Sequence, residues 1–280
     1  MHIIRTISEM LSTRRALEEG QTIGFVPTMG YLHEGHLSLV DRARKENGCV
    51  VVSIFVNPTQ FGPSEDLAKY PRDIRRDLML LNDRKVDYVF LPEAQDMYPG
   101  GKMETTVQVS TVTEMLEGEL RPGHFAGVAT IVAKLFHLVK PTHAYFGRKD
   151  AQQLTVINKM VQDLNFETTV VPCPTLREPD GLAMSSRNVY LSASERQTAL
   201  FISRGLHAAH ALWQSGTSDG ESLLQVVRQE MAQGDFAAID YIELVDSETF
   251  ATERQARLGS LIVVAAKVGP TRLIDNIRLD

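Results

Sequence analysis

Apolar runs alternate with helical patterns through residues 1–175, and this alternation restricts the possible folds more than any other feature of the chain. The runs CVVVSIFV (49–56) and VDYVFLP (86–92) do not alternate polar and apolar residues, so both faces of each predicted strand are expected to be buried. Helical patterns separate such runs, for example over 72–84 and 127–139. This arrangement predicts a mainly parallel sheet covered by helices, which binds ligands beyond the carboxyl ends of its strands.

The composition changes at VPCPTLREPDG (171–181), where three prolines and a glycine predict a domain boundary or hinge. Beyond it, Ser192 and Glu195 have the spacing of a capping box and predict the start of a long helix. A second helix and three strands are predicted near 219–233, 239–245, 261–268 and 271–278. We therefore predict two domains, 1–175 and a smaller α+β domain over 176–280.

Composition and charge restrict the class of function. Apolar residues make up 43% of the 280 residues, and the formal net charge of −6 gives no overall basic field for nucleic acid or acidic membranes. Cys49 and Cys173 lie in strand-like runs and are predicted to be reduced core residues. The N-terminal segment has an acid within nine residues, and no apolar run approaches the ~18 residues of a membrane span. We expect a cytoplasmic protein without membrane or nucleic-acid partners.

The segment PTMGYLHEGHLSLV (27–40) places His33 and His36 where a predicted strand becomes a helix. Backbone N–H groups at a helix start lack intrahelical partners and attract anions, so two imidazoles there suit a polyphosphate and the charge that develops on it. The alternative is that both histidines are structural. His207 and His210 have the same spacing within the long predicted helix, and we interpret that pair as structural or solvated.

Two further loops carry groups that suit a nucleotide. In GRKD (147–150), Lys149 could reach a phosphate and Asp150 a ribose, although charged residues are also common at ordinary helix starts. In MSSRN (184–188), Arg187 offers a planar fork for phosphate oxygens, whereas the two serines could be plain turn residues.

Other loops carry hydrogen-bonding groups of less specific kind. In FVNPTQFG, Asn57 and Gln60 suit a hydroxyl or a carboxylate, and Gln153 could face the same space from a predicted helix. In LRPGHFAGV, Arg121 and His124 precede an apolar helix and could contact an anion. Each of these side chains alone also fits an ordinary surface position.

Familiar nucleotide and metal signatures are missing from the sequence. There is no G-x-x-x-x-G-K-[ST] and no G-x-G-x-x-G, which argues against a P-loop and a simple dinucleotide site. His33 and His36 are three residues apart, and no cysteine or third histidine lies near them, which argues against a helical zinc site.

Five segments in order, PTMGYLHEGH, FVNPTQFG, LRPGHFAGV, GRKDAQQL and DGLAMSSRN, resemble the pantothenate synthetase family over almost the whole chain. HEGH is similar to the H-x-G-H signature of nucleotidyltransferases and class I aminoacyl-tRNA synthetases, and MSSRN stands where that superfamily has a mobile loop. The family usually carries Glu at the position of Arg148 and an aromatic residue at that of Ala151. The resemblance implies a Rossmann-like, doubly wound parallel sheet, a smaller domain that lids the site, and a homodimer.

The resemblance also implies an activity, the joining of (R)-pantoate and β-alanine by ATP with Mg²⁺. Pantoate would attack the α-phosphorus of ATP to give pantoyl adenylate and pyrophosphate, and β-alanine would then displace AMP. Because a carboxylate and a phosphate repel each other, such an enzyme must orient both and neutralise the phosphoryl charge.

The matching positions carry the family's site residues onto this sequence. ATP binding is implied for Met29, Gly30, Tyr31, Leu32, His33, Glu34, Gly35, His36, Gly147, Arg148, Lys149, Asp150, Leu176, Met184, Ser185, Ser186 and Arg187. Catalysis is implied for His36, His33, Lys149, Ser185, Ser186 and Arg187. His36 maps to the proton donor of the family. Pantoate binding is implied for Gln60 and Gln153, and β-alanine binding is implied for Gln60 as well.

Two other functions remain open from the residues. Another nucleotidyltransferase would move AMP or CMP to a different acceptor and would lack the pair Gln60 and Gln153. A tRNA-binding module derived from a synthetase core would carry a basic face, which the net charge of −6 does not favour. Retention on heparin with a steep salt dependence would indicate the module.

Overall fold

The computed structural model describes residues 1–17, 20–62, 65, 67–101 and 104–280. The chain forms two compact units. The first comprises Met1–Arg148 with Val156–Pro174, and the second comprises Lys149–Thr155 with Thr175–Asp280. No helix in the described ranges is long and apolar enough to cross a membrane.

A parallel sheet forms the centre of the first unit. Its strands are β1 His2–Ile4, β2 Ile23–Thr28, β3 Cys49–Ile54, β4 Tyr88–Phe90, β5 His143–Gly147 and β6 Thr169–Cys173. Among the described residues, these six strands pair in the order β1-β4-β3-β2-β5-β6, and every pairing is parallel. All residues of β3 are buried, as its unalternating sequence predicts. The predicted Rossmann-like parallel sheet is confirmed.

Helices connect these strands. Their bounds are α1 Ile7–Ala16, α2 Glu34–Glu46, α3 Ile74–Asp83, α4 Ala94–Met97, α5 Glu117–Leu120, α6 His124–Val139 and α7 Ala151–Asp163. One face of α2 packs Leu37, Val40 and Ala43 against β2 and β3 in a shared core. Helix α6 is apolar on most of its circumference and is buried along most of its length.

The sequence prediction does not include β1 and α1. Strand β1 has three residues and pairs with β4, more than eighty residues away, so no local pattern reveals it. In helix α1 the apolar stripe consists only of Ile7, Met10 and Leu11, of which Met10 is buried, and arginines follow, so the stripe is too short to indicate a helix.

The second unit contains α8 Ala193–Gln214, α9 Gly220–Met231, β7 Ala238–Val245, β8 Leu261–Val268 and β9 Thr271–Arg278. The strands form an antiparallel sheet in the order β7-β8-β9, as the predicted α+β pattern requires. Ser192 caps α8, with its Oγ accepting the N–H of Glu195 at 3.3 Å, which confirms the predicted capping box. Leu206, Val227 and Val264 contribute to the core between the helices and the sheet.

Candidate active site

Two predicted site segments begin at neighbouring strands. Strands β2 and β5 are adjacent, and the chain continues to β3 on one side of them and to β6 on the other. They therefore flank the point where the strand order reverses, which is where open α/β sheets bind ligands. Strand β2 ends at Thr28, directly before residues 29–36, here called the histidine segment, and β5 ends at Gly147, directly before Arg148.

The two histidines form the cap of helix α2. His33 is the N-cap residue, and its Nδ1 accepts the N–H of Gly35 at 3.1 Å. The Nδ1 of His36 accepts the N–H of His33 at 3.4 Å, and the ring centroids are 4.0 Å apart. The pair thus forms a capping box in which imidazoles replace the usual hydroxyl and carboxylate.

This cap determines which atoms of the imidazoles donate. Because the Nδ1 of His33 and that of His36 both accept backbone hydrogen bonds, the proton of each neutral ring is on Nε2. Both side chains are half-buried, and they lie at the positive end of the α2 dipole. The arrangement suits an anion with several oxygens, which is what a phosphate group offers.

Asp77 of α3 is a residue that no sequence motif indicates. Its buried carboxylate accepts the N–H of Tyr31 through Oδ2 at 2.7 Å and the N–H of Leu32 through Oδ1 at 2.8 Å. Burial raises the pKa of Asp77, while the hydrogen bonds from these two N–H groups oppose that rise. Since 46 residues separate Asp77 from Tyr31, sequence patterns cannot reveal the contact.

Gln60 lies in the 3₁₀ turn Pro58–Gln60 after β3. Its Oε1 accepts from Nδ2 of Asn57 at 3.1 Å, and its Nε2 lies 3.2 Å from Sδ of Met29. Asn57 is 1% exposed, and its Oδ1 accepts the Tyr98 hydroxyl hydrogen at 2.5 Å. The amide of Asn57 thus holds Gln60, and binding of a hydroxyl or a carboxylate by Asn57 itself stays a prediction. The structure does bring Met29 and Gln60 together.

Arg121 and His124 are paired within the protein, and a contact of either with an anion stays a prediction. Arg121 binds both carboxylate oxygens of Glu65, at 2.7 and 2.8 Å, and approaches Nε2 of His124 at 3.1 Å. The Nδ1–H of His124 donates to the backbone oxygen of Gln60 at 2.8 Å. Burial, assisted by the Arg121 charge, lowers the pKa of His124 to about 4. A neutral histidine therefore supports the backbone of Gln60.

The GRKD segment leaves β5 through a glycine with room around it. A Cβ placed on Gly147 would meet no atom within 4 Å, so a ligand can approach the backbone there. Residues Arg148–Asp150 form a 3₁₀ turn in which Lys149 is half-buried and Asp150 exposed. In the second unit, Nδ2 of Asn276 donates to the backbone oxygen of Lys149 at 2.8 Å and fixes the backbone that carries this side chain.

The MSSRN segment follows a β-hairpin of the second unit. The N–H of Met184 donates to the oxygen of Leu176 at 3.0 Å and closes the hairpin. Ser185 then caps the 3₁₀ turn Ser186–Tyr190, and its Oγ accepts the N–H of Arg187 at 3.2 Å. Ser185 therefore caps this turn, and because the bond uses only a lone pair of Oγ, the hydroxyl hydrogen can still be donated.

Strand β9 holds both of these segments within the second unit. Asp275, 5% exposed, receives Nη1 and Nη2 of Arg177 at 2.6 and 3.1 Å, and Nη1 also donates to the oxygen of Gly181 in the hairpin. The next residue, Asn276, holds Lys149 as described above. Two adjacent positions of one strand thus fix two segments that the sequence assigns to ATP.

The predicted site residues divide between the two units. The first contains Met29, Gly30, Tyr31, Leu32, His33, Glu34, Gly35, His36, Gln60, Gly147 and Arg148. The second contains Lys149, Asp150, Gln153, Leu176, Met184, Ser185, Ser186 and Arg187. Gln153 is half-buried near the start of α7, and Leu176 is 40% exposed on the hairpin.

The sequence matches one known family over nearly its whole length. The profile of pantoate-beta-alanine ligase matches residues 2–278. The pantothenate synthetase of Pseudothermotoga lettingae is 51% identical over 276 residues, 99% of this chain and 98% of that protein. That of Thermotoga petrophila is 52% identical over 277 residues, 99% of each chain. The chain belongs to the pantoate–β-alanine ligase family.

Solved structures of pantoate–β-alanine ligases have the same fold. Pantothenate synthetase from Thermus thermophilus matches with a TM-score of 0.94 and 47% identity, over 100% of this chain and 99% of that chain. The ligase from Francisella tularensis, solved in complex with beta-gamma ATP and beta-alanine, matches with a TM-score of 0.82 and 37% identity, over 100% of this chain and 98% of that chain. The predicted resemblance is confirmed.

The donors in this ligase suit phosphate more than a metal ion. Within the part of the chain that the structure describes, no group of three or more His, Cys, Asp or Glu side chains could hold a metal ion. Besides the carboxylates of Glu34 and Asp150, the predicted site contains imidazole, ammonium, hydroxyl and guanidinium groups, which donate hydrogen bonds to phosphate oxygens. Most of these groups therefore suit phosphate oxygens, whereas Mg²⁺ prefers oxygen ligands.

Proposed function

We propose that this protein joins (R)-pantoate to β-alanine with ATP, by way of pantoyl adenylate. The pantoate carboxylate attacks the α-phosphorus of ATP, and the bond from that phosphorus to the departing pyrophosphate breaks. The β-alanine amine then attacks the acyl carbon, and AMP leaves as pantothenate forms. The observation that carries the proposal is the cap formed by His33 and His36 on α2, in a chain of the pantoate–β-alanine ligase family.

The histidine segment is assigned to the phosphates of ATP. The Nε2–H groups of His33 and His36 donate to phosphate oxygens, and these hydrogen bonds strengthen as negative charge shifts onto the departing pyrophosphate. His36 is the principal donor in this assignment. The start of α2 adds its dipole, which favours the same charge.

The remaining ATP contacts come from three short segments. The segments supply Gly147, Arg148, Lys149, Asp150, Leu176, Met184, Ser185, Ser186 and Arg187. Lys149 and Arg187 neutralise phosphate charge, and the two serine hydroxyls donate to phosphate oxygens. We assign the approach of the second unit as a lid to the binding of ATP, because MSSRN and Lys149 belong to that unit.

Gln60 and Gln153 are assigned to pantoate, and Gln60 also to β-alanine. An uncharged amide can both donate to a carboxylate and accept from a hydroxyl, so it orients pantoate without competing with the phosphates for charge. The support of Gln60 by Asn57 and His124 agrees with this role, because a precisely held amide aligns the attacking carboxylate.

The proposal includes Mg²⁺, a homodimer and a cytoplasmic location. We assign Mg²⁺ to the ATP phosphates and water, which is how this ion commonly binds with nucleotides. The two buried free cysteines, Cys49 and Cys173, support a reducing compartment. Light scattering of the purified protein over a range of concentrations tests the dimer.

The decisive experiment omits β-alanine. With ATP, Mg²⁺ and pantoate alone, we expect about one pyrophosphate per active site and retention of the acyl adenylate, as in other two-step transfers. The chain offers no exposed thiol for an acyl-enzyme, since both cysteines are buried and burial raises the pKa of Cys49 to about 11. An acyl-enzyme, or AMP release that needs no pantoate, would contradict the proposal.

A further inference from the structure

Two consecutive residues of helix α3, Arg76 and Asp77, hydrogen-bond to the backbone of the histidine segment. Asp77 accepts the N–H groups of Tyr31 and Leu32, as described above. Arg76 donates from Nη1 to the backbone oxygen of Leu32 at 2.8 Å, and its guanidinium lies 5.7 Å from the centroid of the Tyr31 ring. Two side chains of one helix thus satisfy three backbone groups directly before His33.

The backbone that they hold is an unusual one. Gly30 and Tyr31 have φ angles of 82° and 50°, so two successive residues are in the left-handed region, which is unfavourable for Tyr31. A Cβ on Gly30 would lie 2.9 Å from Cγ2 of Ile54 and 3.1 Å from Oδ2 of Asp77. The surrounding structure must therefore impose this conformation, and the buried carboxylate is the group that binds both neighbouring N–H groups.

Attraction to the phosphates of ATP cannot explain a carboxylate at this position. Asp77 binds two residues that precede His33 and is fully buried, so its negative charge would weaken the binding of ATP phosphates nearby. Its two hydrogen bonds also occupy N–H groups that a phosphate would otherwise attract. The benefit that remains is geometric, because the carboxylate fixes the direction in which the chain enters α2.

We infer that Asp77, assisted by Arg76, is a positioning residue for the adenylate-forming step. It acts through the backbone of Tyr31 and Leu32. By holding this backbone, it places the imidazoles of His33 and His36 beside the β- and γ-phosphates in the transition state. The inference rests on the proposed function. It assigns Asp77 a role in the first step only, because pyrophosphate has departed before β-alanine reacts.

The test uses Asp77→Asn and measures the two steps separately. Asn keeps the size of Asp77 but has one acceptor oxygen, so its NH₂ group must face the N–H of Tyr31 or Leu32. We expect pantoate-dependent ATP–pyrophosphate exchange to fall by about 10- to 100-fold, the scale of a small misplacement of catalytic groups. Aminolysis of added pantoyl adenylate by β-alanine should change by less than about threefold, and the KM for ATP should stay close to that of the wild type.

Asp73→Asn is the matched control. Asp73 lies one turn earlier on α3, where it caps the helix by accepting the N–H of Arg76 at 3.0 Å, and Asn caps equally well. Both reactions of this variant should stay within about twofold of the wild type. If Asp77→Asn loses both reactions by the same factor, or behaves like Asp73→Asn, Asp77 has only a structural role.

A second variant keeps the inference testable if Asp77→Asn does not fold. The side chain of Arg76 is 46% exposed, so Arg76→Met should fold while losing the bond to Leu32 and the cation beside Tyr31. Exchange should fall by about three- to tenfold, with little change in aminolysis. No selective loss of exchange in this variant would overturn the inference. Absence of pantoate-dependent exchange in the wild type would contradict the proposed function instead.

Discussion

The chain contains two histidine pairs with the same spacing, and Nδ1 of His207 in the second pair has the opposite hydrogen-bond role to the Nδ1 atoms of the first pair. At the start of α2, the Nδ1 atoms of His33 and His36 accept backbone N–H groups, so their Nε2 atoms carry the protons. Within α8, Nδ1 of His207 lies 2.7 Å from the backbone oxygen of Ser203 and donates to it. His210, on the same helix, is half-buried.

The comparison shows that position along a helix matters more than spacing. The N–H groups at a helix start need acceptors. When Nδ1 of a neutral imidazole accepts one of these N–H groups, the ring carries its proton on Nε2. A helix interior offers only the carbonyl four residues earlier, and a histidine that donates to it contributes to the helix surface. The Nε2–H groups of His33 and His36 can therefore donate to an anion, whereas Nδ1–H of His207 already donates within its own helix.

The largest expected effect on kcat comes from replacing one histidine of the α2 pair, with one histidine of the α8 pair as its control. We expect His36→Ala to lower kcat by about 100-fold or more, as for loss of a transition-state donor, while His210→Ala changes kcat by less than about threefold. Steady-state pantothenate formation measures both. Equal losses in the two variants would contradict the assignment of the α2 pair to phosphate.

Arg187 extends the comparison to a second capped turn, where Ser185 rather than a histidine is the cap. Arg187→Lys keeps the charge but removes the planar fork, so we expect adenylate formation to fall by about tenfold with a smaller change in ATP affinity. Pyrophosphate release and equilibrium binding of ATP separate these quantities.

Limited proteolysis of the wild type supplies a control for the Arg187 prediction. ATP should protect the peptide bonds near 177–190, and pantoate alone should protect them little. If Arg187→Lys forms adenylate at the wild-type rate and ATP leaves this segment equally cleavable, Arg187 is a surface residue.

His33→Asn separates capping from donation at the same site. Asn is a good N-cap and can accept the N–H of Gly35, so the free energy of unfolding should change by less than about 0.5 kcal/mol. The variant lacks the imidazole donor, so kcat should fall by about fivefold. Thermal unfolding and steady-state kinetics of the same preparation measure the two effects. A loss of stability with unchanged kcat would mean that His33 only caps helix α2.

His124 gives the smallest effect and tests the hydrogen-bond roles through pH. Its folded pKa of about 4 is below the ordinary 6.5, so between these values the unfolded chain binds a proton that the folded chain does not. Stability due to this group is complete above pH 6.5 and falls as the pH is lowered towards 4. Between pH 6.5 and 5.5, the wild type should lose about 1 kcal/mol more unfolding free energy than His124→Gln. Parallel urea titrations measure this difference, and identical pH profiles would mean that His124 is not held neutral.

Local patterns in the sequence were sufficient for much of the fold and for the outline of the site. The apolar runs predicted β3, and the Gly-containing turn into an amphipathic helix predicted the place of His33 and His36. Local patterns did not predict elements whose partner is distant in the sequence or whose own sequence is mostly polar. Strand β1 has a partner far along the chain, and α1 has only a short apolar stripe.

The internal partners of the predicted site residues escape local patterns for a similar reason. Whether Asn57 faces a ligand depends on Tyr98 and on Gln60, and whether Arg121 is available for an anion depends on Glu65. These partners are separated by 41 and 56 residues in the first and last cases, and no local rule connects them. Sequence patterns indicate which groups could do chemistry, but remote contacts decide which of them are already used.

The order in which the ribosome makes the chain gives the contacts of β9 a further consequence. Arg177 is synthesised 98 residues before Asp275, and Lys149 is synthesised 127 residues before Asn276. At about 5–20 residues per second, Arg177 waits roughly 5 to 20 s for its partner. The contact of Asp77 with Tyr31 spans only 46 residues and is complete long before then. The contact that holds the histidine segment can therefore form in the nascent chain before β9 is made. The hairpin near Arg177 and the backbone of Lys149 lack their partners until then.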